Sequence, residues 1–179
     1  MRHLLRALLL IAAGGLALSL TGCASPANRA AMTPTDVVVG KHFPYSLGVR
    51  TDGGADTGAM DSSNIADADL KAAIEDAVRN SKLFTSIIQG SGGDYELSVR
   101  VTSLSKPLFG GTFTVQLEAA WSLTKVADRS VVLRKAVQSS GTATMGDAFA
   151  AVTRLRLAVE AAARSNISQG LTAVGELKL

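Results

Sequence analysis

Cys23 is the only thiol in this chain of 179 residues, so no disulfide can close within it and a cysteine-based metal site is excluded. Other residues able to do chemistry are sparse. There are two histidines, His3 and His42. A Ser-His-Asp arrangement would need His42 held rigidly against a serine, and nothing around it suggests that. Asp52, Asp56 and Asp61 share one glycine-rich loop. Three carboxylates can gather a hard cation such as Ca2+, but the spacing does not follow the EF-hand order and no Glu closes the loop. The expected role is a solvated loop. No Gly-x-Ser-x-Gly elbow, Walker A loop or Gly-x-Gly-x-x-Gly fingerprint occurs. Hexapeptide repeats of the acyltransferase β-helix are absent as well. The sequence therefore predicts no catalytic residue, no metal site and no cofactor.

Cys23 itself sits at the end of an address. Arg2, His3 and Arg6 form a positive start, and Ala7 to Leu20 follows with 11 Ala, Leu or Ile among 14 residues. A run of that length suits a secretory signal, whereas a membrane-spanning helix needs roughly 20 apolar residues. The run closes on Leu20-Thr21-Gly22-Cys23, which resembles the lipobox of bacterial lipoproteins. The resemblance implies cleavage between Gly22 and Cys23, and a diacylglycerol thioether on the Cys23 thiol. Such an anchor carries more than one acyl chain, and each buried CH2 contributes about 0.8 kcal/mol. Ala24 follows the cysteine in place of Asp, which by the usual sorting pattern implies the outer membrane, facing the periplasm.

Cleavage removes 22 residues and leaves 157, with 16 basic against 15 acidic side chains, so the net charge falls from +3 to +1. That body offers little to nucleic acid, where phosphate neutralisation dominates binding. Aromatic content of 4% is too thin for a base-stacking platform. Hydrophobic content of 47% with 18% charged residues belongs to a globular chain.

The division expected is a signal peptide over 1–22, a lipidated cysteine and flexible tether over 23–43, and one periplasmic α+β domain over 44–179. A flexible tether of that length has an r.m.s. span of about 25 Å. Within it, Val37 to Val39 could form a short strand against the body. Tyr45, Leu47 and Val49 alternate with polar or small residues and read as a strand. Asn64 to Asn80 reads as a helix with Leu70, Ile74, Ala77 and Val78 on one face, Asn64 or Asp67 capping it and Asp67 and Asp69 at its positive start.

Thr85 to Ile88 reads as a short strand. Tyr95, Leu97, Val99 and Val101 alternate cleanly, and so do Phe113, Val115, Leu117, Ala119, Trp121 and Leu123. A returning strand over Ser130 to Ala143 makes a hairpin about 40 Å long at roughly 3.3 Å per residue. Asp147 is the expected cap of a last helix to about Leu171, with Phe149, Val152, Leu155, Val159 and Ile167 as its apolar stripe. The order β-α-β-β-β-β-α predicts a single antiparallel sheet with both helices on one face.

Two features stand out from that frame. Leu108 and Phe109 occupy a turn between strands, where tips are normally polar. Either Phe109 folds back onto the core or the pair is a contact surface for lipid or protein. Arg154, Arg156 and Arg164 on the last helix make a modest basic patch, a solvated face by default and otherwise a candidate contact for anionic head groups.

The stretch Asn64 to Phe84 with its Leu83-Phe84 exit, followed by Asp94-Tyr95-Glu96-Leu97, resembles small bacterial lipoproteins of the ABC-transport auxiliary type. Pro107-Leu108-Phe109-Gly110, Thr142 to Phe149, and Arg154-Leu155-Arg156-Leu157-Ala158 resemble a narrower set, proteobacterial lipoproteins of unknown function. The resemblance implies a non-enzymatic accessory or binding component of envelope transport or lipid trafficking, anchored through Cys23 and engaging a protein partner. The alternatives are a structural, self-associating outer-membrane lipoprotein and, further off, an enzyme such as an acyltransferase.

Overall fold

The computed structural model describes residues 24–37, 39–58, 61–90 and 92–179. The expected signal peptide, Gly22, Cys23 and the centre of the Val37–Val39 run lie outside them. In chain order the elements are α1 (Arg29–Met32), β1 (Phe43–Asp52), α2 (Asp67–Ser81), β2 (Phe84–Ile88), β3 (Tyr95–Ser105), β4 (Phe113–Lys125), β5 (Val131–Ala143) and α3 (Ala151–Gly175). The five strands form one sheet in the order β2-β1-β3-β4-β5. The inward side chains of the sheet, α2 and α3 join one buried cluster. Thr114, Gln116 and Ala120 on the opposite face are exposed. This is the expected α+β layer with its helices on one face.

The sheet is mixed rather than wholly antiparallel. β1 runs parallel to both β2 and β3, whereas β3, β4 and β5 alternate in direction. α2 returns the chain to the start of β1, so β2 must enter in the same direction as β1. β2 ends opposite Gly48, and β3 begins opposite Leu47. The short link over 89–94 therefore crosses β1 sideways instead of making a hairpin. It crosses where β1 has a glycine, because a Cβ on Gly93 would stand 3.2 Å from the Gly48 nitrogen.

β4 has the register its alternation predicts: Phe113, Val115, Leu117, Ala119, Trp121 and Leu123 are all buried. Across from it, β5 turns Val137, Ser139, Gly141 and Ala143 inward. Val131 and Leu133 share that parity but lie toward the free end of the hairpin, and Val131 is exposed.

α3 buries Val159 and Ile167 of its expected stripe, with Leu155 against the core, and approaches the sheet most closely through a second row. Arg154, Ala158, Ala162, Asn166, Gly170 and Val174 recur at i+4 and are all buried. The row is mostly small, so the helix backbone reaches the sheet. A Cβ on Gly141 would overlap the Ala158 carbonyl oxygen and the Ala162 nitrogen, and one on Gly170 would enter the Trp121 ring. The polar groups trapped there satisfy one another. Trp121 Nε1 donates to Asn166 Oδ1 at 2.9 Å, and Asn166 Nδ2 donates to the Val137 carbonyl at 2.9 Å. Ser139 Oγ donates to the Ala162 carbonyl at 2.9 Å.

Both helix starts differ from expectation. α2 begins after Ala66 and α3 after Ala150, neither with a side-chain cap. Asp67 instead accepts the Gly54 N–H, and Asp147 accepts the N–H and hydroxyl of Thr144. Each carboxylate closes the loop before its helix.

Truncating Trp121 to Ala removes the largest fully buried side chain and should lower stability by about 3–5 kcal/mol. Asn166→Leu strands a buried indole N–H and should lower it by about 1–3 kcal/mol. Phe109→Ala, at an exposed tip, should change it by less than about 0.5 kcal/mol. Thermal melts of the three variants check this ranking.

Candidate functional site

The topology gathers several connections at one end of the sheet. β1, β3 and β5 finish there, and β4, α2 and α3 begin there. Among the described residues, five large apolar side chains stand out into solvent at that end: Leu108 at 94%, Phe109 at 86%, Phe149 at 88%, Met145 at 58% and Val152 at 41%. Leu108 and Phe109 come from the β3–β4 loop, and the other three from the β5–α3 loop and the first turn of α3.

Arg154 holds the two loops together from beneath. It is buried, and its Nη1 donates to the carbonyls of Ala148 at 2.9 Å and Phe149 at 2.6 Å. Its Nη2 reaches the Gly110 carbonyl at 3.4 Å, and its guanidinium lies 5.3 Å from the centre of the Phe113 ring. Met145 Sδ covers Gly111. The backbone of both loops is thus fixed while their apolar side chains point away. Phe109 does not fold back onto the core. Phe149 and Val152 are not core either, because α3 starts later than expected and turns its small-residue row inward.

The segment expected as a tether is packed on the body. Ala27 and Met32 are buried. The Asn28 side chain caps α1, and its backbone N–H donates to Glu160 Oε1 at 2.9 Å. Arg164 Nη1 donates to the Ala31 carbonyl at 2.9 Å. Arg29 makes a two-pronged contact with Asp76, 2.6 Å on each side. Pro26 and Pro34 suggested a loose chain, but buried Ala27 and Met32 flank a capped turn.

The start of this segment lies at the apolar end. Ser63 Oγ donates to the Ser25 carbonyl at 2.8 Å, and the Ala27 N–H donates to the Asn64 carbonyl at 3.1 Å. Lys106 Nζ donates to the Ser63 carbonyl at 3.0 Å and to Asn64 Oδ1 at 2.6 Å. Burial lowers the Lys106 pKa, opposed by the nearby Asp61 charge. Lys106 is two residues from Leu108, so the β3–β4 tip, the β1–α2 loop and the N-terminal segment are stitched together.

The three helix arginines do not form one patch. Arg154 is spent beneath the tip. Arg156 Nε lies 3.8 Å from Glu160 Oε1, and Arg164 faces α1. The loop aspartates also separate: Asp52 pairs with Arg100, and Asp61 accepts the Gly58 N–H. Among the described residues, no group of three His, Cys, Asp or Glu side chains is disposed to hold a metal. A groove of about 410 Å³ runs beside the outer strand β2, with Phe43, Val78, Phe84 and Ile87 in its lining. Two of the polar groups on its rim are engaged: His42 Nδ1 donates to the Lys82 carbonyl at 2.6 Å, and Arg79 pairs with Glu75 and Asp76.

No family model matches the chain, and no curated protein matches it. Solved structures share its fold. Protein XCC0632 from Xanthomonas campestris is 16% identical with a TM-score of 0.52, over 80% of this chain and 87% of its own. The hypothetical protein CT253 from Chlamydia trachomatis is 5% identical with a TM-score of 0.56, over 74% of this chain and 96% of its own. A dodecamer of PelC from Paraburkholderia phytofirmans is 15% identical with a TM-score of 0.51, over 77% of this chain and 93% of its own. At these identities the likeness is one of fold. Nothing in it singles out the ABC-transport auxiliary type.

The Arg29 contact holds the Asp76 carboxyl below its ordinary value of 3.8, against an opposing effect of burial. A depressed carboxyl pKa favours the folded form above the ordinary value and loses that contribution as pH falls through the depressed one. Acidification below 3.8 should therefore loosen α1. Amide exchange at Met32 and Thr33, corrected for the intrinsic pH dependence, should speed up on acidification. Asp76→Asn should already be fast at pH 7 and show less further change.

Proposed function

We propose that the protein is a lipid-anchored, non-catalytic component of a bacterial cell envelope, facing the periplasm from the outer membrane. In this reading it serves as an accessory or binding component of envelope transport or lipid trafficking. The observation that carries the anchor is Leu20-Thr21-Gly22-Cys23 at the end of a 14-residue apolar run. With Ser25 held against Ser63, a lipid on Cys23 would be attached two residues from the body. A binding role draws on the outer strand β2, whose free edge can accept a partner strand beside the apolar groove. A catalytic role would require titratable groups converging in one concavity. In the groove beside β2, His42 and Arg79 are already engaged with their neighbours.

A second reading has one observation in its favour. The fold is shared with a PelC protein that forms a dodecamer, so this chain could act as a self-associating structural lipoprotein.

In cells, Cys23→Ser should move the protein from the membrane fraction to the soluble periplasm; retention in the membrane would refute the anchor. Crosslinking in intact cells with mass spectrometry separates the two roles. The accessory reading expects a second envelope protein in the crosslinks, and the structural reading expects copies of this chain alone.

A further inference from the structure

The described chain enters the body at the apolar end, two residues after Cys23, and this points to a use for the exposed side chains. Ser25 is fixed by its carbonyl to Ser63, and Ser63 by its own carbonyl to Lys106. Two peptide units separate Ser25 from position 23, a reach of at most about 7 Å. The same Lys106 begins the loop that carries Leu108 and Phe109. At most two peptide units therefore separate Cys23 from the first carbonyl held on the body, Ser25, which lies at the apolar end. A body held that close to a leaflet must present some face to it. The end beside the anchor carries five exposed apolar side chains on a backbone pinned by Arg154.

We propose that this end is a lipid-docking face: Leu108, Phe109, Met145, Phe149 and Val152 enter the leaflet that holds the acyl chains of Cys23. The body then stands on the membrane with its sheet end-on, and the β4–β5 turn at Val126–Ser130 points away. The occupant is the bilayer itself rather than a protein. The proposal deepens the lipoprotein reading and rests on it.

The test uses the full, lipidated protein reconstituted into vesicles of phosphatidylethanolamine and phosphatidylglycerol. An environment-sensitive dye is placed at Phe109→Cys in one sample and at Arg129→Cys in another; acylated Cys23 does not react with the dye. At position 109 the emission should shift to shorter wavelength on reconstitution and be quenched by nitroxides on the lipid acyl chains. At position 129 neither should occur. Water-like emission at both positions overturns the proposal. A blue shift at 109 that lipid nitroxides do not quench also overturns it, and assigns the face to protein contact, either a second copy or another partner. Flotation and intact mass keep the two claims apart. A chain that carries no acyl group and does not float refutes the lipoprotein reading and the docking with it. An acylated, floating chain with position 109 in water refutes docking alone.

Discussion

The backbone of α3 lies so close to the sheet that neither Gly141 nor Gly170 can carry a β-carbon. That approach is the constraint on which the remaining structure depends. It places Trp121 against a helix turn with no side chain, and puts Asn166 where it can answer the indole N–H. Close packing of this kind leaves no room for water, so the polar groups beneath Trp121 find their partners within the contact. Asn166, Ser139 and the carbonyls of Val137 and Ala162 do so. The same buried row ends at Arg154, which fixes the two loops of the apolar end. Glu160 and Arg164, elsewhere on the helix, hold the N-terminal segment through Asn28 and Ala31. One helix thus aligns the sheet, the exposed loops and the point where the chain enters the body.

Much of this was legible in the sequence, and what was hidden has physical reasons. Strict alternation in Tyr95 to Val101 and Phe113 to Leu123 identified both strands and their buried faces, because a half-buried strand writes its pattern in period two. The Phe84 exit and the long last helix were equally visible. Strand direction was not, because a six-residue link normally means a hairpin, and only the glycines at 48 and 93 hinted that the chain could cross β1. The face of α3 was legible in part: Val159 and Ile167 are buried and Leu155 packs against the core, but the closest contact with the sheet selected small residues. Ala158, Ala162 and Gly170 allow approach without contributing much apolar area, so a search for large side chains picks Phe149 and Val152 instead. The spacing of Ala, Ala, Asn and Gly at i+4 was the available signal.

The apolar end was half legible. An apolar pair at a turn tip is unusual, so Leu108 and Phe109 stand out in the sequence. Met145 and Phe149 join them only through the fold, from a loop some forty residues along. The N-terminal segment was the larger surprise. Two prolines and small residues read as slack, yet Ala27 and Met32 each fill a core position. The distinction matters for function. Under the proposed anchoring, a tethered body would move freely around its anchor, whereas a clasped one would present a single end to the membrane. With the anchor proposed at Cys23, the free edge of β2 and its groove would take a defined orientation relative to the membrane.

Neutron reflectometry on the lipidated protein in a supported bilayer tests this arrangement most directly. The account predicts a protein layer that adjoins the head groups with no intervening water layer, and some protein density within the outer part of the leaflet. A water-filled gap of about 25 Å between bilayer and body, the span of a free twenty-residue tether, would contradict it.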